Sequence, residues 1–197
     1  MLNMTNLSTA IGILVLCFGV AGCAAAPKLG KADTTGFDAA NATVLVEYTL
    51  DISPLDELDA EEIAEQRSIR YEEIKQVLQS HGFNPVSSGM ANFRVRVAEG
   101  VAKDITGEWT GAAGATTVLI TLGVVPAVFS YSANINYELW AGQELIHSIE
   151  TPAQWDEAVG LISFSSTLSG TDAAKSKART EAHDSVVRLW IEQGSFE

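Results

Sequence analysis

His81, His147, His183, Cys17 and Cys23 are the side chains of this 197-residue chain best suited to metal binding or nucleophilic chemistry. The histidines lie far apart, with no pair four residues apart and no neighbouring cysteine, so they lack the spacing of a zinc site. Asp56, Glu57, Asp59, Glu61, Glu62 and Glu65 form an acidic run, but without the alternate-ligand spacing and central glycine of a calcium loop. It reads as a solvated helix start. Gly111-x-x-Gly114-x-Thr116-Thr117 lacks the lysine of a phosphate-cradling loop. The serines near Gly160 to Gly170 sit in no Gly-x-Ser-x-Gly elbow. No catalytic, cofactor-binding or metal-binding residue is assigned, and the expectation is a protein that is not an enzyme. A cell-wall hydrolase working through paired carboxylates is the remote alternative, with no spacing to support it.

Cys23 is different, because its neighbours give it a chemistry. Met1 to Pro27 carry no charged side chain, and Ile11 to Val20 form an apolar run of the length of a secretory core segment, short for a membrane span. Val20-Ala21-Gly22-Cys23 follows, with small residues that let an extended chain enter a peptidase cleft. This stretch resembles the bacterial lipobox, although the amino-terminal region has no Lys or Arg. The resemblance implies that the Cys23 thiol receives a diacylglycerol, that cleavage frees its amine, and that a further acyl chain is added. Cys23 is then the lipidated first residue of the mature protein, with the membrane as a partner through its lipid. Each buried methylene contributes about 0.8 kcal/mol, so several acyl chains hold a protein almost permanently. Ala24 follows Cys23 in place of the Asp that resembles an inner-membrane retention signal, which favours the outer membrane and a periplasm-facing domain.

Cys17 and Cys23 are the only cysteines, so no disulfide can staple the mature chain and a packed core must hold it. A formal charge of −13 argues against nucleic acid as a partner. The organisation expected is a signal peptide at 1–22, an anchor and flexible tether at 23–42, and a single domain at 43–197. A tether of this length reaches about 25 Å as a coil and about 60 Å when stretched.

Thr43 to Leu50 is β-branched and aromatic, a first strand. Asp59 is a helix N-cap with Glu61 and Glu62 in the first turn; Ile63, Tyr71, Ile74, Val77 and Leu78 share a face, and Gly82 stops the helix. Phe93, Val95 and Val97 alternate with Arg94 and Arg96 as a second strand. Ser132 to Trp140 and Glu144 to Thr151 alternate around Ala141-Gly142-Gln143 and predict a hairpin. Gly160 to Gly170 reads as a loop. A last helix is expected from about Asp172 to Gln193, with Ala178, Ala182, Val186, Leu189 and Trp190 as its stripe and Gly194 as its end. The fold expected is α+β: a two-layer sandwich of a mixed sheet of about four strands with two helices on one face.

No charged side chain lies between Glu108 and Glu138. Gly111, Gly114, Gly123, Pro126 and the β-branched residues from Thr116 to Thr121 argue against a helix here. Val118 to Val125 is expected to be a strand beside the hairpin, apolar on both faces. Its outer face needs a cover, from the 160–170 loop, a second copy of the chain or the membrane surface. Leu119, Ile120, Leu122, Val124, Val125 and Phe129, with Trp155 beyond the last strand, are the candidate interaction residues. Thr121-Leu122-Gly123-x-x-Pro126 before alternating strands resembles small envelope lipoproteins of unassigned role, which implies a periplasm-facing lipoprotein and no catalytic residues. The function expected is docking or scaffolding of another envelope protein. The alternative is a membrane-active or oligomeric assembly subunit using 111–129, similar in outline to lipoproteins of the curli-secretion type.

Overall fold

The structure, a computed structural model, describes residues 34–52, 58–120, 127–159 and 164–196. Cys23, most of the expected tether, Leu122, Val124 and Val125 therefore lie outside the described residues. The elements run β1 (Thr43–Leu50), α1 (Ala60–Ser80), β2 (Asn84–Val86), β3 (Phe93–Glu99), β4 (Lys103–Asp104), α2 (Glu108–Ile120), β5 (Ala127–Ala141), β6 (Glu144–Val159) and α3 (Phe164–Glu192). They form a mixed α+β fold of three helices and a six-stranded mixed sheet, more than the four strands and two helices expected. No described helix is long and apolar enough to cross a membrane.

β1 lies parallel to both β2 and β3, so α1 is the crossover that brings the chain back beside β1. β3 runs antiparallel to β5, from Phe93↔Ala141 to Glu99↔Ile135. The ladder continues through Gly100 N–H to Asn134 O and then β4, at Lys103↔Ser132 and Asp104↔Tyr131. β6 pairs along the other side of β5. Gly142, at φ +59°, opens the two-residue connection between them, the conformation a II′ hairpin turn asks of its first central residue.

Alternation sorts the sheet into two faces. Val44, Val46, Tyr48, Val95, Val97, Ile135, Tyr137 and Leu139 point inward and are buried. Ile74, Val77 and Leu78 of α1 and Ala182, Val186, Val187 and Trp190 of α3 meet them in one core. Each such aliphatic side chain stabilises the fold by about 1.5–3 kcal/mol. The opposite face carries polar pairs: Arg96 on Glu47 at 2.6 Å, Asn134 on Glu150 at 2.7 Å and Ser130 on Asp156 at 2.6 Å. α1 starts as its sequence requires. Asp59 accepts hydrogen bonds from the N–H groups of Glu61 (2.8 Å) and Glu62 (2.9 Å), and Glu62 accepts from Asp59 N–H (2.9 Å).

Three expectations need correction. The strand expected over Val118 to Val125 is not there at its start: Val118 to Ile120 close helix α2. Gly114, read as a helix breaker, is a point of close approach, because a Cβ there would meet the Ala127 Cβ at 3.0 Å. Ala112, Ala113 and Ala115 supply helix propensity, and the Thr116 hydroxyl donates back to Ala112 O at 2.8 Å. The expected loop from Gly160 to Gly170 is helical from Phe164 onward, so α3 starts well before Asp172. A long helix propagates through an isolated glycine at a cost of about 1 kcal/mol, which this one tolerates at Gly170. The hairpin strands also run past their expected ends. Pro152 does not end β6, because β6 pairs with β5 alone among the described strands and proline is accommodated on an edge.

Candidate functional site

The parallel strands β1 and β3 end together, with Asp51 N–H donating to Glu99 O at 2.9 Å. Beyond those carboxyl ends, between α1 and α3, lies a cleft of about 190 Å³. Crevices at the carboxyl ends of parallel strands are a recurrent place for ligands. Leu50, Ile52, Leu58, Val101 and Ala102 give it an apolar wall; Gln66 and Arg70 come from α1, Lys175 and Arg179 from α3, and Trp155 from β6.

The floor is a buried ionic network. Glu99 is the last inward-facing residue of β3, and its Oε2 accepts from the Tyr48 hydroxyl at 2.6 Å. Arg70 Nε stands 3.1 Å from the same oxygen, and Arg179 Nη1 stands 3.9 Å from Oε1. Arg179 is clamped by Glu73 of α1, with Nε at 2.7 Å and Nη2 at 3.2 Å. Two guanidinium groups thus face two carboxylates, and the network is neutral. Burial works against the Arg179 charge, but the Glu73 hydrogen bonds and the Glu73 and Glu99 charges outweigh it and hold the guanidinium pKa above its usual value. Burial, then the Glu99 charge, pushes the Tyr48 phenol far above its ordinary range, so it remains a donor at every physiological pH.

The two arginines differ. Arg179 makes a two-toothed contact that uses the fork of the guanidinium. Arg70 Nε is close to Glu99 but not aimed at it, and has no hydrogen-bond partner among the described residues. Arg70 Nη1 donates to Gln66 Oε1 at 3.2 Å. Arg70 therefore lines the cleft with Nη1 held by Gln66, while its Nε is buried against Glu99 without alignment.

Deeper in the core, His183 on α3 is fully buried, with Nδ1 2.6 Å from the Tyr137 hydroxyl. Burial first, then the Arg179 charge, lowers its pKa to about 3, so the ring is neutral. It is a packed core residue, edge-on to both Tyr137 and Tyr48. His81 caps α1 and pairs with Asp184 at 2.8 Å; His147 sits on β6 opposite Leu139. Among the described residues no three His, Cys, Asp or Glu side chains converge on a metal position.

The interaction candidates divide. Trp155 is a wall of the cleft. It is buried, stacks on Tyr131 at 6.0 Å, donates Nε1–H to Glu157 at 2.9 Å and lies under the Lys175 ammonium at 5.9 Å. Phe129 is half-buried near the start of β5. Leu119 and Ile120 are in the last turn of α2. Sequence reasoning missed Glu73, Arg70, Glu99 and Arg179 altogether. The signal available was a glutamate on the apolar face of α1 beside Ile74, and an arginine one turn before Ala182 on α3.

No protein-family model matches the chain, and no curated protein matches it. Solved structures do resemble it. The minor lipoprotein from Acinetobacter baumannii is 10% identical, with 79% of this chain and 93% of that one aligned at a TM-score of 0.48. The rare lipoprotein B from Shewanella oneidensis is 11% identical, with 78% and 96% aligned at 0.46. A DUF330 protein from Xanthomonas campestris is 9% identical, with 87% and 96% aligned at 0.49. At such identities no residue role passes from those chains to this one.

Proposed function

We propose that this chain is a non-enzymatic envelope lipoprotein, anchored in the outer membrane by acyl chains on Cys23, whose periplasmic domain docks or scaffolds another envelope protein. The observation that carries the reading is Val20-Ala21-Gly22-Cys23 after a charge-free apolar run. The first strand starts at Thr43, which leaves residues 24–42 between the anchor and the first strand. Cys23→Ser tests the anchor, because a hydroxyl does not replace the thiolate nucleophile. The variant is expected to be neither lipidated nor cleaved, and to run as the longer precursor. A variant processed like the parent would contradict the reading.

A second reading, the membrane-active or self-assembling subunit, is favoured by one observation. The open end of the hairpin exposes Val128 (52%) and Val159 (47%), with Ile105 (49%) bonded beside them through Ser130. Val128→Asp with Val159→Asp would abolish vesicle binding or self-association under that reading and leave both unchanged under the first.

A further inference from the structure

We infer that residues 34–42 form a strap clasped to the end of the domain where β1 begins, and that it opens without unfolding the domain, which gives the lipid anchor two lengths. The clasp deepens the anchored-lipoprotein reading and rests on it for its use.

Nineteen residues, 24–42, separate Cys23 from Thr43, but only 24–33 of them lie outside the described residues. The other nine are held on the domain. Phe37 packs on Phe83 at 5.6 Å and on Phe196 at 6.2 Å, centroid to centroid. Ala39 is buried in the core, and Ala42 O accepts from Asn84 N–H at 2.9 Å. Arg188, paired with Asp184 at 2.7 Å, donates from Nη1 to Thr34 Oγ1 at 3.3 Å. The strap also folds on itself. Phe37 N–H donates to Thr34 O at 3.2 Å, and Ala40 N–H donates to Asp38 Oδ1 at 2.9 Å. Ala42 N–H donates to Ala39 O at 2.8 Å around Ala40 (φ +48°) and Asn41 (φ +58°). Two central residues at positive φ are what a I′ turn asks, and it favours Gly, Asn or Asp. Asn41 suits it; Ala40 carries a Cβ into the left-handed region and is strained.

Attachment and strain therefore oppose each other. One half-buried ring, one alanine and a few hydrogen bonds hold nine residues against the strain at Ala40 and the entropy of ordering them. Beneath the strap, Phe196 packs on Phe83, Phe93 and Trp190, so the rings meet one another without Phe37 and the sheet stays packed when the strap leaves. The anchor changes with it. Residues 24–33 span at most about 33 Å, and 24–42 about 60 Å, at roughly 3.3 Å each. A closed clasp keeps the domain near its lipid and concentrated at the membrane; an open one lengthens its reach and dilutes it.

The test uses the full lipidated chain in detergent, with amide hydrogen exchange followed across low concentrations of guanidinium. The Phe37, Ala40 and Ala42 amides are expected to exchange more slowly than an unstructured peptide, faster than Val46 and Val95, and with a much shallower denaturant slope, because opening the strap exposes little surface. Ala40→Gly removes the strain and should slow the strap amides by about fivefold. Phe37→Ser with Ala39→Gln should bring them to unstructured rates while the domain still melts cooperatively. Strap amides that match Val46 and Val95 in rate and slope overturn the inference, as do strap amides already at unstructured rates in the parent. A double variant that fails to fold overturns it as well, by making the strap inseparable from the core. The two lengths are read in vesicles, by energy transfer from a dye on Met90→Cys, a 99% exposed position, to a lipid-borne acceptor. Transfer should fall in the double variant, and unchanged transfer overturns the two lengths. Processing of Cys23 is read separately, so a chain left unprocessed removes the anchored reading while exchange alone still decides the clasp.

Discussion

At one end of the helix–sheet interface the core is closed by aromatic rings, and at the other by ion pairs. The aromatic end lies where β1 and β3 begin. Phe196 packs 4.5 Å from Phe83, 5.1 Å from Phe93 and 6.3 Å from Trp190, centroid to centroid. It is aimed there by the end of α3, where Gly194 adopts φ +67° and Ser195 N–H donates to Trp190 O at 3.0 Å. The ionic end lies where β1 and β3 stop, and buries Glu73, Glu99 and Arg179 instead. Rings gain free energy by leaving water, whereas charges lose hydration and regain it only through good partners. A protein seeking stability alone would use rings at both ends. The ionic end carries a desolvation cost beside the cleft that the ring end does not.

This contrast is open to mutation. Trp190→Ala should have the largest effect, about 3–5 kcal/mol by denaturant melting, since it empties the fully buried heart of the aromatic end. Arg179→Ala should cost about 3 kcal/mol or somewhat more, because Glu73 stays buried with its partner gone and Glu99 loses one of its two guanidinium neighbours. The double variant Glu73→Leu with Arg179→Met should recover most of that loss, as apolar replacement of a whole buried pair is often neutral. A double variant as unstable as the single one would show that the ionic end is needed for folding, and would break the contrast.

Acid should find a smaller weakness between the two ends. His183 has a folded pKa of about 3, below its ordinary value of about 6.5. Between those values the unfolded chain takes up a proton that the folded chain refuses. Stability contributed by the neutral ring is therefore complete above pH 6.5 and declines as pH falls toward 3. Melting followed across that window should show a slope that His183→Gln reduces. An unchanged slope would mean that carboxylates alone account for the acid sensitivity.

Much of the fold was legible from side-chain period. β1, β3, the α1 cap at Asp59 and the stripe Ala182, Val186, Trp190 follow from alternation, capping chemistry and helical spacing. Helix α2 was not, because one feature that argued against it has a tertiary use. Gly114 serves contact with Ala127, and no local rule contains that neighbour. The continuation of β6 through Pro152 was hidden for a similar reason, since only its place on the sheet edge makes the missing N–H harmless. The cleft was the least visible part. Its charges come from α1, β3 and α3, and Glu73 and Arg179 are 106 residues apart. Trp155 was named from its residue type, and the structure places it beside those charges.

The most direct test of the account is the mass of the mature amino-terminal peptide from membrane-extracted protein. The mature chain is expected to begin at Cys23 and to carry a diacylglyceryl thioether with a further acyl chain on the amine. An unmodified Cys23 still joined to Gly22 would contradict it.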